Sequence, residues 1–320
     1  MLHILFVPLL LSAPPKAELV QSYKIWDRAG HNAFTDLVRF NDTWFCVFRE
    51  GAAHVSPDGA VRVLTSADGK TWESAALLTS KTMDLRDPKI VVTPKKELMI
   101  VAAGALIDRS KQSHQSLVWF SKDGKSWGEA VPIGDPDFWL WRVTWHDGVA
   151  LGIGYPTTKA HKGIRVYRSE DGRNWQTLVA NAFDKDGPNE TGTVIDPDGS
   201  ATTLLRRDDK PATAQLGTSR PPYKDWTWRD LGVRVGGPAL IRVPDVGLIA
   251  VVRLYDKPVR TAVCSIDEKA GKLTELVALP SGGDTSYAGL VWHDGLLWIS
   301  YYASHEGKTS VYLAKVKFGR

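Results

Sequence analysis

Ser66-Ala67-Asp68-Gly69-Lys70-Thr71-Trp72 is nearly repeated as Ser121-Lys122-Asp123-Gly124-Lys125-Ser126-Trp127 and as Ser169-Glu170-Asp171-Gly172-Arg173-Asn174-Trp175. The three tryptophans stand 55 and 48 residues apart, and a degraded fourth copy, Ser219 to Trp228, ends 53 residues after Trp175. Recurrence at such a period points to an array of supersecondary units. Each copy reads as a tight hairpin turn: Asp offers an acceptor to turn amides, Gly takes φ > 0, and Ser or Thr bonds locally. The Trp then packs its broad face into the core. Because the aspartates recur, they have a scaffold role rather than a catalytic one.

A second pattern alternates with the first: a strand, a turn and a returning strand. It runs Leu37–Phe40 with Trp44–Phe48, Ile90–Thr93 with Leu98–Ala102, Val143–His146 with Val149–Gly154, Thr193–Ile195 with Ala201–Leu205, Ala239–Val243 with Leu248–Val252, and Leu290–His293 with Leu296–Tyr301. These runs are rich in β-branched and aromatic residues and are split by turn pairs such as Asp147-Gly148 and Asp294-Gly295. No helical period persists. Six copies over about 300 residues give a period of about 50, within the propeller range. The fold expected is all-β, a six-bladed β-propeller with four antiparallel strands per blade, the paired strands inside and the Asp-Gly hairpins at the rim. The Tyr23–Asp27 strand is expected to close the ring beside the last blade.

Composition agrees with a folded chain large enough to bury its own core, being 43% hydrophobic and 24% charged in 320 residues. Net charge is +4 with mixed signs and no basic run, which argues against nucleic-acid binding. Ile4–Leu11, followed by Ser12-Ala13, is apolar but too short to span a bilayer. It reads as a signal peptide, so residues 1–21 are taken as signal and short linker, 22–320 as one domain, and the destination as secreted or periplasmic. No later stretch suggests a membrane span. Cys46 and Cys264 lie in strand patterns without metal or redox spacing and read as buried thiols, with a disulfide possible if they are spatial neighbours. No cofactor motif or metal-ligand spacing is present, and a monomer is expected.

Polar residues gather before the first strand and after the second strand of each pair, that is, at one end of the propeller. His31 to Asp36, Arg86-Asp87, Trp141-Arg142, Asn189-Glu190 and Asp284 to Tyr287 form one set; Arg49-Glu50, Tyr155, Arg206-Arg207, Arg253 and Tyr301-Tyr302 form the other. Arg49, Arg86, Arg142, Arg206 and Arg253 come from five blades. So many guanidiniums near one axis need carboxylates or an anionic ligand. Asp36, Glu50, Asp87, Glu190 and Asp284 supply candidates for the former. A pocket for an acidic or polyhydroxylated sugar is one reading; a self-satisfied ion-pair lining is the other. Trp139 and Trp141 are either a sugar-stacking platform or core, and His31 and His54 are either ligand contacts or loop residues.

The repeated turn resembles the Asp-box, Ser-x-Asp-x-Gly-x-Thr-Trp, with one residue fewer before the Gly. Asn189-Glu190, Asp198-Gly199 and Arg206 are similar to the sialidase Asn-Glu…Asp-Gly…Arg segment, with the same 16-residue spacing from Glu to Arg. Ser286-Tyr287-Ala288-Gly289-Leu290 resembles the sialidase segment that carries the nucleophilic Tyr. The resemblance to the sialidase superfamily implies an exo-acting glycoside hydrolase on a glycan substrate, with Tyr287 as nucleophile and Glu190 as its base. It also implies an arginine cluster for the substrate carboxylate, in which Arg206 matches by motif and Arg49 and Arg253 by position. No arginine stands at the family's Phe/Tyr-Arg-Ile-Pro position, where this chain reads Asn32-Ala33-Phe34-Thr35-Asp36-Leu37, and the acid falls to Asp87, Glu50 or His54. Two alternatives stay open: a non-catalytic glycan-binding propeller, and a glycosidase for another sugar that uses Asp87 with Glu190.

Overall fold

The computed structural model describes residues 14–319; the Ile4–Leu11 run read as a signal peptide lies outside the described residues. Every regular element among the described residues is a β-strand, and the strands form six four-stranded antiparallel sheets. Five blades use four consecutive strands each. Their innermost strands are β2 (His31–Phe40), β6 (Met83–Val92), β10 (Phe138–His146), β14 (Pro188–Ile195) and β18 (Val235–Val243). The sixth blade runs from β22 (Thr285–His293) through β23 (Leu296–Ala303) to β24 (Ser310–Gly319), and β1 (Lys16–Trp26) from the other end of the chain is its outermost strand. The expected closure is therefore present. The closing strand is longer than the sequence suggested and starts at Lys16, ahead of the boundary drawn at residue 22.

Local chemistry explains the hairpins. Asn41-Asp42, Asp147-Gly148 and Asp294-Gly295 each place two successive residues at positive φ, the twist that two-residue hairpins require. In the repeated outer turns, Ser66 Oγ accepts the Gly69 amide at 2.9 Å, while Asp68 Oδ1 accepts the amides of Lys70 at 2.8 Å and Thr71 at 2.9 Å. Ser121 with Asp123 and Ser169 with Asp171 repeat this pattern. The indoles of Trp127 and Trp175 close the turns by donating to the Gly124 and Gly172 carbonyls. In the degraded copy Trp226, not Trp228, does this, donating to the Tyr223 carbonyl at 3.0 Å; Trp228 donates to Ala182 of the preceding blade.

The core lies between blades. Phe45, Val47 and Val63 of the first blade pack with Ile100, Leu117 and Trp119 of the second, and similar clusters fill the other junctions. Cys46 and Cys264 are free and buried, and burial pushes both thiols well up. Along the axis, a cavity of about 350 Å³ is lined by one or more residues from every innermost strand, including Leu37, Ile90, Val143, Thr193, Ala239 and Leu290.

Candidate active site

One irregularity recurs in every blade. The register of each innermost strand against its neighbour slips near its start: between Ala33 and Asp36, Arg86 and Lys89, Leu140 and Arg142, Pro188 and Thr191, Gly236 and Ala239, and Ser286 and Gly289. These are β-bulges, which bend a strand and re-aim a side chain. The residues they release are Phe34, Asp87, Trp141, Glu190, Gly237 and Tyr287. Phe34, Asp87, Ser286 and Tyr287 have φ of 64°, 49°, 95° and 54°, a region that costs a non-glycine residue free energy and that clusters at functional sites.

Tyr287 and Glu190 meet at the axis. The phenol donates to Glu190 Oε1 at 2.6 Å, Arg206 Nη1 donates to the same oxygen at 2.9 Å and to the phenol oxygen at 3.0 Å, and the Gly237 amide holds Glu190 Oε2 at 2.8 Å. Three blades thus contribute to one hydrogen-bonded knot. Tyr287 is 7% exposed. Burial, and then the charge of Glu190, push its phenol well above its ordinary range, so it is a neutral hydroxyl whose proton already points at a carboxylate. The Thr35 hydroxyl bonds the Tyr287 carbonyl at 2.9 Å and steadies the strained backbone.

Asp87 is buried beside this knot. Burial pushes its carboxyl up to about 6; Arg86 and Lys89 oppose that shift and Glu190 adds to it. Its Oδ1 has no hydrogen-bond partner among the described residues, while Oδ2 lies 3.9 Å from Arg86 Nε. A buried carboxyl with a free oxygen and a pKa near 6 is suited to hold and release a proton.

The five arginines divide. Arg206 and Arg253 face Tyr287, Arg253 lying 5.4 Å over its ring, and Arg86 flanks Asp87 and Phe34. Arg49 is fully buried and committed elsewhere: Nε pairs with Asp84 at 2.8 Å, and the other nitrogens bond Ala53 and Ser56. Arg142 bonds Asp36 Oδ1 at 3.0 Å and the Ala288 carbonyl at 2.6 Å, while Asp36 Oδ2 takes the Ile90 amide. Asp36 and Arg142 therefore brace four blades and line the channel beyond the bulges. Glu50 points away from the axis, as the neighbour of Arg49 on a strand must, and pairs with Arg62 and the Trp26 indole. Trp141 is 2% exposed and meets the Tyr287 ring edge-on at 5.6 Å, so it backs the tyrosine from within. Trp139 stacks on Tyr155.

Asp284 organises the opposite rim. Arg253 and the Tyr302 hydroxyl bond its Oδ1 at 2.9 and 2.7 Å, and His54 and His31 approach its Oδ2 at 2.9 and 3.4 Å. Burial works against its charge, but the two histidines, Tyr302 and Arg253 hold its carboxyl well below the usual range.

Sequence reading missed Lys89, Phe34 and Asp84, and named Tyr302 only as one of the residues gathered at this end. Lys89 is buried 4.9 Å from the Trp141 ring and 6.0 Å from the Tyr287 ring, between the site and the channel, and burial lowers its pKa to about 8. The sequence did carry a signal for the bulges: Pro88 and Pro238 lie inside inner strands, where proline marks an edge strand or an interruption of the ladder, and here both fall at bulges.

Among the described residues no helix is long and apolar enough to cross a membrane. No protein-family model matches the chain, and no curated protein matches it in sequence. Solved structures do match in shape. A Dyadobacter fermentans protein of unknown function superposes with a TM-score of 0.83 at 18% identity, covering 95% of this chain and 100% of that one. The GH93 α-L-arabinofuranosidase of Fusarium graminearum gives 0.74 at 14% identity, covering 93% and 98%. Trypanosoma rangeli sialidase gives 0.67 at 12% identity, covering 95% of this chain but only 60% of the sialidase. At these identities the likeness establishes that the chain shares their six-bladed propeller architecture.

Proposed function

We propose that the protein is an exo-acting glycoside hydrolase in which Tyr287 is the nucleophile, Glu190 its base and Asp87 the general acid. The observation that carries this reading is the 2.6 Å bond from the Tyr287 hydroxyl to a Glu190 carboxylate that Arg206 and the Gly237 amide hold in place. As Tyr287 Oη attacks the anomeric carbon, its proton passes to Glu190, and Asp87 protonates the departing glycosidic oxygen. Asp87 then takes a proton from water, which attacks the same carbon and releases the sugar as the tyrosine recovers its proton. The configuration is retained. Arg86, Arg206 and Arg253 each keep a guanidinium nitrogen without a bonded partner among the described residues, which favours a terminal sugar bearing a carboxylate.

A second reading makes Asp87 and Glu190 the working pair on a neutral sugar; the likeness to an arabinofuranosidase favours it. Tyr287→Phe decides between the two. The variant, assayed with fluorogenic sialosides and α-L-arabinofuranosides, is expected to lose on the order of 10³-fold or more in turnover while keeping its thermal unfolding. Hydrolysis at the wild-type rate would overturn the tyrosine mechanism. Wild-type protein that binds glycans but releases no sugar would leave only a binding module.

A further inference from the structure

We propose that His31, His54 and Asp284 form a binding site for one divalent transition-metal ion of the zinc class at the rim of the pocket. His31 Nε2, His54 Nδ1 and a carboxylate oxygen of Asp284 all lie within 4.8 Å of one another. Ligand atoms around a tetrahedral zinc are about 3.3 Å apart, given metal–ligand distances of about 2.0–2.1 Å. The measured separations of 2.9 and 3.4 Å from Asp284 Oδ2 bracket that value.

Hydrogen bonding alone accounts for His31 poorly. The residue is 7% exposed, yet its Nε2 stops 3.4 Å from the carboxylate, longer than a good N–H···O bond, and its Nδ1 has no partner among the described residues. A buried ring nitrogen aimed at a carboxylate from beyond good hydrogen-bond distance, with a second imidazole beside it, has the spacing of ligands that share an ion. The two oxygens of Asp284 are also divided in function. Oδ1 is held by Arg253 and Tyr302, in the manner of the outer partners that orient metal-binding carboxylates, and among the described residues Oδ2 is approached by the two imidazoles alone.

The donor set selects the ion. Two imidazoles and one carboxylate suit zinc and its neighbours; calcium and magnesium prefer oxygen. Arg253 counts against any cation, so nitrogen donors must supply most of the affinity. Three protein ligands leave a fourth position open. It lies on the side of half-exposed His54, whose ring is 5.2 Å from Phe34, itself 5.1 Å from Tyr287. A hydroxyl or carboxylate of a ligand in the Tyr287 pocket is the group suited to fill it. The proposal is independent of the catalytic reading, because the metal is measured directly.

The test uses the untagged full chain, stripped with a chelator and dialysed against Zn²⁺, with bound metal counted per chain. Co²⁺ in place of Zn²⁺ reports geometry through its visible bands. We expect one equivalent of Zn²⁺, intense four-coordinate Co²⁺ bands, and about a hundredfold weaker binding in His54→Ala, whose exposed side chain is dispensable for packing. No saturable binding, or undiminished binding in a folded His54→Ala, would overturn the site.

Discussion

At one end of the propeller, the turns after Ser66, Ser121 and Ser169 repeat the same hydrogen bonds almost atom for atom, and their glycines alone take positive φ. At the other end, six bulges release six residues, five different side chains and one glycine; Phe34, Asp87, Ser286 and Tyr287 sit at positive φ, and Asp87, Ser286 and His31 keep buried atoms unpaired among the described residues. The same strands connect the two ends. Repeated turn geometry, with only the Trp72 indole unpaired among the described residues of those three turns, supplies stability at the rim, and that stability tolerates strain and unpaired polarity where the blades converge.

If this division is right, substitutions at the two ends should fail differently. The largest effect is expected for Asp87→Asn, which removes the proposed acid and should lower turnover by about 10²–10⁴-fold. In the wild type, kcat/KM should fall as pH rises through about 6, where Asp87 loses its proton, and the variant should lack that limb. The variant's effect on stability is the reverse of its effect on turnover. The folded carboxyl titrates above the unfolded value of about 3.9, so the native state holds the extra proton between these values and wild-type stability declines as pH rises across that window. Asn cannot ionise, so Asp87→Asn should be more stable than the wild type at pH 8 and should lose that advantage at pH 4. Denaturant titrations at both values check this; a variant less stable at pH 8 would refute the burial argument.

A smaller loss should follow Gly237→Ala. The added Cβ would meet the Tyr287 ring at 2.8 Å, at a residue with φ of 56° whose amide holds Glu190. Displacing the pair by a fraction of an ångström should lower kcat by about 10²-fold. Gly124→Ala is the counterpart at the other end, with φ of 72° and a Cβ placed 2.1 Å from the Phe45 ring of the adjacent blade. It should cost about 1–3 kcal/mol in denaturant unfolding and leave kcat of the folded protein unchanged. If Gly124→Ala lowers kcat as much as Gly237→Ala does, the two ends are not separable.

The same contrast explains what could be read from the chain. Ser-x-Asp-Gly-x-x-Trp is local chemistry, so its bonds were legible, as were the six strand pairs and the meeting of Tyr287, Glu190 and Arg206. Trp226 was overlooked in favour of Trp228 because the fourth turn has one more residue than the others. Side-chain direction was not legible. Arg49 and Glu50 are adjacent in sequence and end on opposite faces, neither open to the pocket, because the strand period sends neighbours apart. Phe34 and Lys89 gave no polar signature of the site; bulges aim the first and burial under aromatic rings fixes the second. Pro88 and Pro238 marked two of the bulges in plain view.

The pairing of β1 with β24 has a consequence for assembly. Lys16 lies opposite Gly319, so segments far apart in the chain must meet to fasten the ring, and without β1 the outer edge of β24 is bare to any other strand. Of the strand pairings among the described residues it spans the greatest chain separation, which makes its closure entropically the most costly. Material lacking Lys16–Trp26 would still present the pocket residues, but on a ring with its buckle undone.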